Sequence, residues 1–214
     1  MPVMKYKGAL IGVFSYILLA QSAVAENERY VTGFVGLTEL ENYNFRFETF
    51  GTKGVITTEK GMNFGVAIGV HLFSNMRAEF ELSQSSNDTS EIGEPYTSYD
   101  GSINASFALA NLWYDLPTET KITPYVGGGL GYAQISHEGS SIGIPLVDDS
   151  DTAFAAQIGI GGRASIGAKG AIDIGYRYKV FDGADLDQLL ETGPDFKNGK
   201  YASHSINIGY SYNF

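Results

Sequence analysis

Apolar residues alternate with small or polar ones, at a period of two, along most of the chain from Tyr30 onward. In GMNFGVAIGVHLF (61–73), Met62, Phe64, Val66, Ile68, Val70 and Leu72 share one face. Gly61, Asn63, Gly65, Ala67, Gly69 and His71 share the other. NMRAEFELSQS opposes Met76, Ala78, Phe80 and Leu82 to Arg77, Glu79, Glu81 and Ser83. TAFAAQIGIGGRASI, AIDIGYRYKVF and the terminal HSINIGYSYNF repeat the pattern. Further strands are predicted near Tyr30, Ser102 and Thr123, which makes eight. A strict period of two is the mark of strands with two different faces. Near Asn111 the apolar residues change face, which a bulge would explain.

The connections alternate in length. Short ones fall at 74–75, 117–121 and 167–170, and long ones at about 42–60, 84–101, 137–151 and 182–201. Short turns at one end and long loops at the other, with about ten residues per crossing, predict an all-β fold. The expected architecture is an eight-stranded antiparallel transmembrane β-barrel with short periplasmic turns and long extracellular loops. A soluble barrel would turn its apolar face inward and cover the outside with long polar side chains. The non-apolar face here is mostly Gly, Ala, Ser and Asn, which suits a narrow lumen better than a solvated surface. The charges on that face have both signs: Arg77, Glu79, Glu81, Arg163, Asp173, Arg177 and Lys179. Buried charges persist when paired and hydrogen-bonded, so these seven are expected to form a polar network in the lumen. Aromatic residues near strand ends (Phe73, Trp113, Tyr114, Tyr125, Tyr212 and Phe214) suit interfacial girdles.

Composition sharpens this picture. The 214 residues include 27 glycines, 14 tyrosines, 13 phenylalanines and no cysteine, and only 18% are charged. A disulfide framework and a thiolate metal site are therefore excluded. Lys5 and Lys7 precede the apolar run ALIGVFSYILLA and the small residues Ala23 and Ala25. That order predicts a secretory signal peptide over 1–25 and a barrel domain over 26–214. Cleavage would remove two lysines and no acid, taking the formal net charge from −10 to −12. So acidic a chain is a poor partner for nucleic acid. Its predicted location is a bacterial outer membrane, reached through the periplasm, among outer-membrane lipids and lipopolysaccharide.

The last strand ends on an aromatic residue. Asn207, Gly209, Tyr212 and Phe214 resemble the C-terminal insertion signal of bacterial outer-membrane proteins, which implies recognition by the outer-membrane assembly machinery. TPYVGGGLGYA (123–133) and IDIGYRY (172–178) resemble the eight-stranded outer-membrane barrel superfamily of the OmpA transmembrane domain, OmpX and the opacity proteins. The resemblance implies the fold and leaves the activity open.

Candidate chemistry is sparse. His71, His137 and His204 lie apart, with no ligand at metal-site spacing, so neither a metal nor a cofactor is expected. The runs GGGLG and GIGG sit inside strands rather than opening helices, so they are packing sites. In SHS (203–205) the histidine faces away from both serines. Asp182, Asp185 and Asp187 fall short of a defined calcium cage. The loops are richer. Tyr43, Phe45 and Phe47 alternate with polar residues in an exposed hairpin that either meets a partner or folds over the mouth. Asp185 and Gln188 at capping-box spacing predict a short helix carrying Leu186, Leu189 and Leu190, which would plug the mouth or contact a partner. The expected function is therefore non-enzymatic, with extracellular loops meeting an unidentified surface partner. The alternatives are a small porin and, third, a lipid-modifying enzyme.

Overall fold

The computed structural model describes residues 29–41, 43–46, 53–92, 100–141, 144–186 and 196–214. The predicted signal segment lies outside them. Ten strands form one antiparallel sheet: β1 (Arg29–Leu40), β2 (Tyr43–Arg46), β3 (Lys53–Thr58), β4 (Gly61–Phe73), β5 (Met76–Ile92), β6 (Asp100–Asp115), β7 (Ile122–Ser141), β8 (Ile144–Ile166), β9 (Gly170–Leu186) and β10 (Phe196–Asn213). The order β5-β4-β1-β10-β9-β8-β7-β6 closes on itself through a β5–β6 pairing, giving eight staves. β2 and β3 are a small hairpin above the first two staves, pairing Tyr43 with Ile56 and Arg46 with Lys53. This is the hairpin predicted from the aromatic alternation. Phe47 lies outside the described residues. Among those residues no helix is long and apolar enough to cross a membrane, a fact that says nothing of a barrel.

The short connections tie one end together. Asp115 N–H donates to Asn75 O at 2.8 Å, Asn213 N–H to Lys169 O at 2.8 Å, and Phe214 N–H to Arg29 O at 3.0 Å. Gly167 opens the β8–β9 turn at φ 67°, a conformation that favours glycine. At the other end the predicted long loops are mostly strand. β7 and β8 run 20 and 23 residues and stay paired out to Ser141 and Ile144, so most of 137–151 is hairpin. β5 likewise continues to Ile92. A crossing needs only about 9–11 residues, so these strands rise well beyond a bilayer. The helix predicted from Asp185 does not begin there, because Asp185 and Leu186 belong to β9. Leu189 and Leu190 lie outside the described residues.

The expected bulge in β6 is absent: its register with β5 and β7 is unbroken from Gly101 to Tyr114. What changes is the solvent on either side. Near the short turns, Leu112 and Tyr114 point outward with Val126, Ile160 and Ile174, while Asn111 and Trp113 point inward. Toward the long hairpins, Ala105, Phe107 and Leu109 point inward and are buried. There Ser106, Gln84, Ser86 and Gln134 form the exposed face. One alternation thus serves a lipid-solvated half with a charged interior and a water-solvated half whose interior is apolar on β6, β7 and β8.

Candidate functional site: the barrel interior

The lumen holds two layers of different chemistry. The lower one contains all seven charged residues singled out in the sequence, and β6 supplies an eighth. Arg77 Nε donates to Asp115 Oδ2 at 2.8 Å, and Arg77 Nη1 reaches Glu79 Oε1 at 3.2 Å. Tyr30 and Trp113 donate to the two oxygens of Glu79 at 2.6 and 2.8 Å. Tyr125 donates to Asp173 at 2.9 Å and accepts from Arg177 at 3.1 Å. The Arg177 guanidinium lies 4.2 Å from the Trp113 ring centre, and that of Arg163 lies 4.8 Å from the Tyr30 ring. Arg163 also stands opposite Asp173 in register.

One level up, Lys179 Nζ donates to Glu81 Oε1 at 2.7 Å and to Ser83 at 2.7 Å. Asn111 and Gln157 donate to Glu81 Oε2, each at 2.9 Å, and Ser83 donates to Oε1 at 2.7 Å. Glu81 thus accepts four hydrogen bonds, from β5, β6, β8 and β9. The charges balance: Arg77, Arg163, Arg177 and Lys179 against Glu79, Glu81, Asp115 and Asp173. Buried ions persist only under such pairing, because uncompensated charge in a narrow interior is costly.

Two of the expected girdle aromatics belong inside. Trp113 is 1% exposed and Tyr125 2%, packed edge to face at 5.6 Å, because their in-register positions put them on the lumen face. Phe73, Tyr114, Tyr212 and Phe214 do face outward. Tyr30, Trp113, Tyr125, Asn111, Gln157 and Asp115 were not identified as network members. Inward parity would have found Tyr125 and Gln157, which lie two residues from the lumen glycines Gly127 and Gly159.

Above this layer lies the apolar one: Leu40, Phe107, Leu109, Ile135, Phe181 and Tyr201, with Ala105, Ala133, Ala153 and Ala155 between them. Phe181 and Tyr201 stack at 4.4 Å, and Tyr201 shares a hydrogen bond with Ser85 at 3.2 Å. Among the described residues, two small cavities lie inside the barrel. One of about 30 Å³ lies among Arg77, Glu79, Asp173, Arg177 and Asn207. The other, of about 10 Å³, lies among Asn63, Ser83, Phe107 and Ser205. Lys179 borders both. At roughly 10–15 Å³ per water these are sites for a few molecules rather than a stream. The amide oxygens of Asn63 and Asn207, without a protein partner, line them.

The assembly-signal residues divide by face. Asn207 is buried in the lumen and Gly209 packs against Gly33 and Phe34 of β1, while Tyr212 and Phe214 are outside. Of the loop residues, Tyr43 and Phe45 sit in β2 and Leu186 ends β9. Ser203 and Ser205 are buried on the lumen side, away from His204, so the SHS run provides no serine–histidine pair. Among the described residues no group of three or more His, Cys, Asp or Glu could hold a metal.

A closed eight-stave barrel with a lipid-facing belt and a charge-balanced lumen defines an outer-membrane β-barrel protein. The family model for the outer membrane protein beta-barrel domain matches residues 9–214, and the chain belongs to that family. It is similar to the outer membrane protein PagN of Salmonella typhimurium, with 21% identity over 92% of this chain and 95% of that one. The fold matches Neisserial surface protein A at a TM-score of 0.56 with 17% identity, covering 87% of this chain and 97% of the other. It matches the outer membrane protein OprG of Pseudomonas aeruginosa at 0.55 with 12% identity, covering 89% and 98%. The protein resides in the outer membrane.

Proposed function

We propose that this barrel is a non-catalytic surface protein, sealed to free solute flow, that acts through the wall and hairpins it raises above the membrane. The reading rests chiefly on the reversal of polarity along the staves. Above the lipid belt the outer face turns to Gln84, Ser86, Ser106 and Gln134, and the interior fills with Phe107, Ile135, Phe181 and Tyr201. Nothing in lipid requires that apolar core. It stabilises a β-wall standing in water, as sandwich and barrel cores do. Such a wall presents extended surface to a partner molecule or cell. The C-terminal residues Asn207, Gly209, Tyr212 and Phe214 serve as the signal for assembly into the membrane.

The absence of native cysteine allows a clean test of the topology. Single cysteines replacing Ser86 or Gln134 should react with a membrane-impermeant maleimide on intact cells, and one replacing Val35 should not. Equal protection of all three would overturn the reading. A small porin remains the second reading, favoured by the two cavities that flank Lys179. Its distinguishing experiment is a conductance measurement, since free flow requires both lumen layers to part.

A further inference from the structure

One polar cluster stands on the outer wall, unconnected to the lumen network, where β1 and β10 part. Their pairing runs up to Leu40 opposite Ser203, and the Glu41 N–H closes it by donating to Ala202 O at 2.9 Å. Facing outward here are Glu41, His204 of β10, and Tyr176 and Tyr178 of β9. Glu41 Oε1 accepts from Tyr178 at 3.2 Å and lies 3.0 Å from His204 Nε2. His204 Nδ1 is hydrogen-bonded to the Tyr176 hydroxyl. The Tyr178 and His204 rings lie 4.8 Å apart. The fold therefore brings to His204 an acid 163 positions away in sequence.

Hydrogen-bond accounting shows what this cluster lacks. With the imidazole neutral and its Nε2–H given to Glu41, Nδ1 must accept the Tyr176 proton, and Tyr178 has given its own to Glu41. Every donor is used. What remains outward are acceptors: the second Glu41 oxygen and the lone pairs of two phenols. Glu39, opposite His204 in register, is offset by Lys60 at 3.9 Å, so that with a neutral imidazole the described side chains of the patch carry the one negative charge of Glu41. An anionic group would meet repulsion here. A cation carrying N–H donors would find a carboxylate and flat aromatic faces, the combination that binds ammonium groups. Directly below, toward the membrane centre, Leu37 and Ile206 are 62% and 64% exposed and face lipid.

We propose that Glu41, His204, Tyr176 and Tyr178 bind the ammonium of an amine-bearing lipid headgroup in the outer leaflet, with its acyl chains lying along Leu37 and Ile206. A lipid-borne amine fits better than a soluble one because the acceptors stand immediately above that apolar row.

The test uses the refolded chain in nonionic maltoside micelles, titrated with short-chain phosphatidylethanolamine or phosphatidylglycerol. The His204 ring resonances, assigned through their loss in His204→Gln, are followed by NMR. The ethanolamine lipid should shift them saturably and the glycerol lipid should not. Glu41→Gln should weaken the ethanolamine lipid on the order of tenfold, because it removes the charge and keeps the shape. Folding is checked by the heat-dependent gel shift, and Tyr178→Phe replaces Glu41→Gln if the latter fails to fold. Equal responses to both lipids, or unchanged affinity in the folded variant, would overturn the site. Saturation by free ethanolamine at the lipid's own concentration would overturn its assignment to a lipid.

Discussion

Glu81 shows what a single residue costs and contributes in this lumen. Its carboxylate accepts four hydrogen bonds, and its ion pair with Lys179 has both side chains about 5–6% exposed. Removing one partner leaves the other buried and uncompensated, whereas removing both removes the desolvation cost as well. Lys179→Ala alone should therefore destabilise the barrel by about 3–5 kcal/mol. Glu81→Leu combined with Lys179→Met should cost far less than the two single changes added together. Urea unfolding of Lys179→Ala, of Glu81→Leu and Lys179→Met singly, and of the double variant in the same micelle checks this, and additive losses in the double would mean that the pair is not coupled. Glycine positions follow the same geometric logic. A Cβ on Gly131 would lie 2.0 Å from Ala108 O and 2.9 Å from Leu109 Cα, both backbone atoms that cannot swing aside. Gly131→Ala should cost about 1–3 kcal/mol as an overpacked site. Gly33, with nothing within 4 Å of its Cβ position, should accept alanine within about 0.5 kcal/mol.

At the scale of elements, the β7–β8 hairpin carries the surface reading. Ser136 stands directly opposite Ser150, just beyond the apolar layer at Ile135 and Ala153. Replacing residues 137–149 with Asn-Gly closes the hairpin there with a two-residue turn suited to the twist of paired strands. The shortened chain should keep its heat-dependent gel shift and its urea midpoint, while cells displaying it lose any attachment that depends on this hairpin. A collapsed urea midpoint would instead make the hairpin part of the folding core. The same strands show what the sequence could and could not tell. Period-two alternation in eight segments, Met62 to Leu72 and Ile206 to Phe214 among them, counted the staves, and the small residues of the opposite face set the membrane side, because lipid and lumen impose opposite demands on neighbouring residues. Near Asn111 the rule misled. The apolar residues switched sides because the solvent outside changed from lipid to water, while the backbone register stayed intact. Trp113 and Tyr125 were misplaced for a related reason, since an aromatic residue near a strand end suits a girdle or a lumen and only parity decides. The pairing of Lys179 with Glu81 spans 98 positions, a closure that no local pattern contains.

Taken as a whole, the molecule places two barriers in series, and that order governs what would pass through it. The charged layer closes on the Glu81–Lys179 pair, and Lys179 borders both the cavity of about 30 Å³ and that of about 10 Å³. Above them Phe107, Leu109, Ile135, Phe181 and Tyr201 pack across the bore against a wall that also carries the buried side chains of Ser85, Asn87, Thr89 and Ser203. Eight strands leave an interior only wide enough for side chains to fill. An ion would thus meet a second, packed section even after the salt bridge was broken. The refolded chain in a planar bilayer should therefore be silent, and Lys179→Ala should stay silent. Phe107→Ala with Phe181→Ala should also be silent, because the charged layer still spans the bore. Only the triple variant should give discrete conductance steps, weakly selective for cations because without Lys179 the acids Glu79, Glu81, Asp115 and Asp173 face only Arg77, Arg163 and Arg177. Steps from the unaltered chain would instead mean that both layers part together in the membrane, and the small-porin reading would then replace the sealed one. Steps from Lys179→Ala alone would assign the whole barrier to the charged layer and reduce the apolar residues to a support for the wall above it.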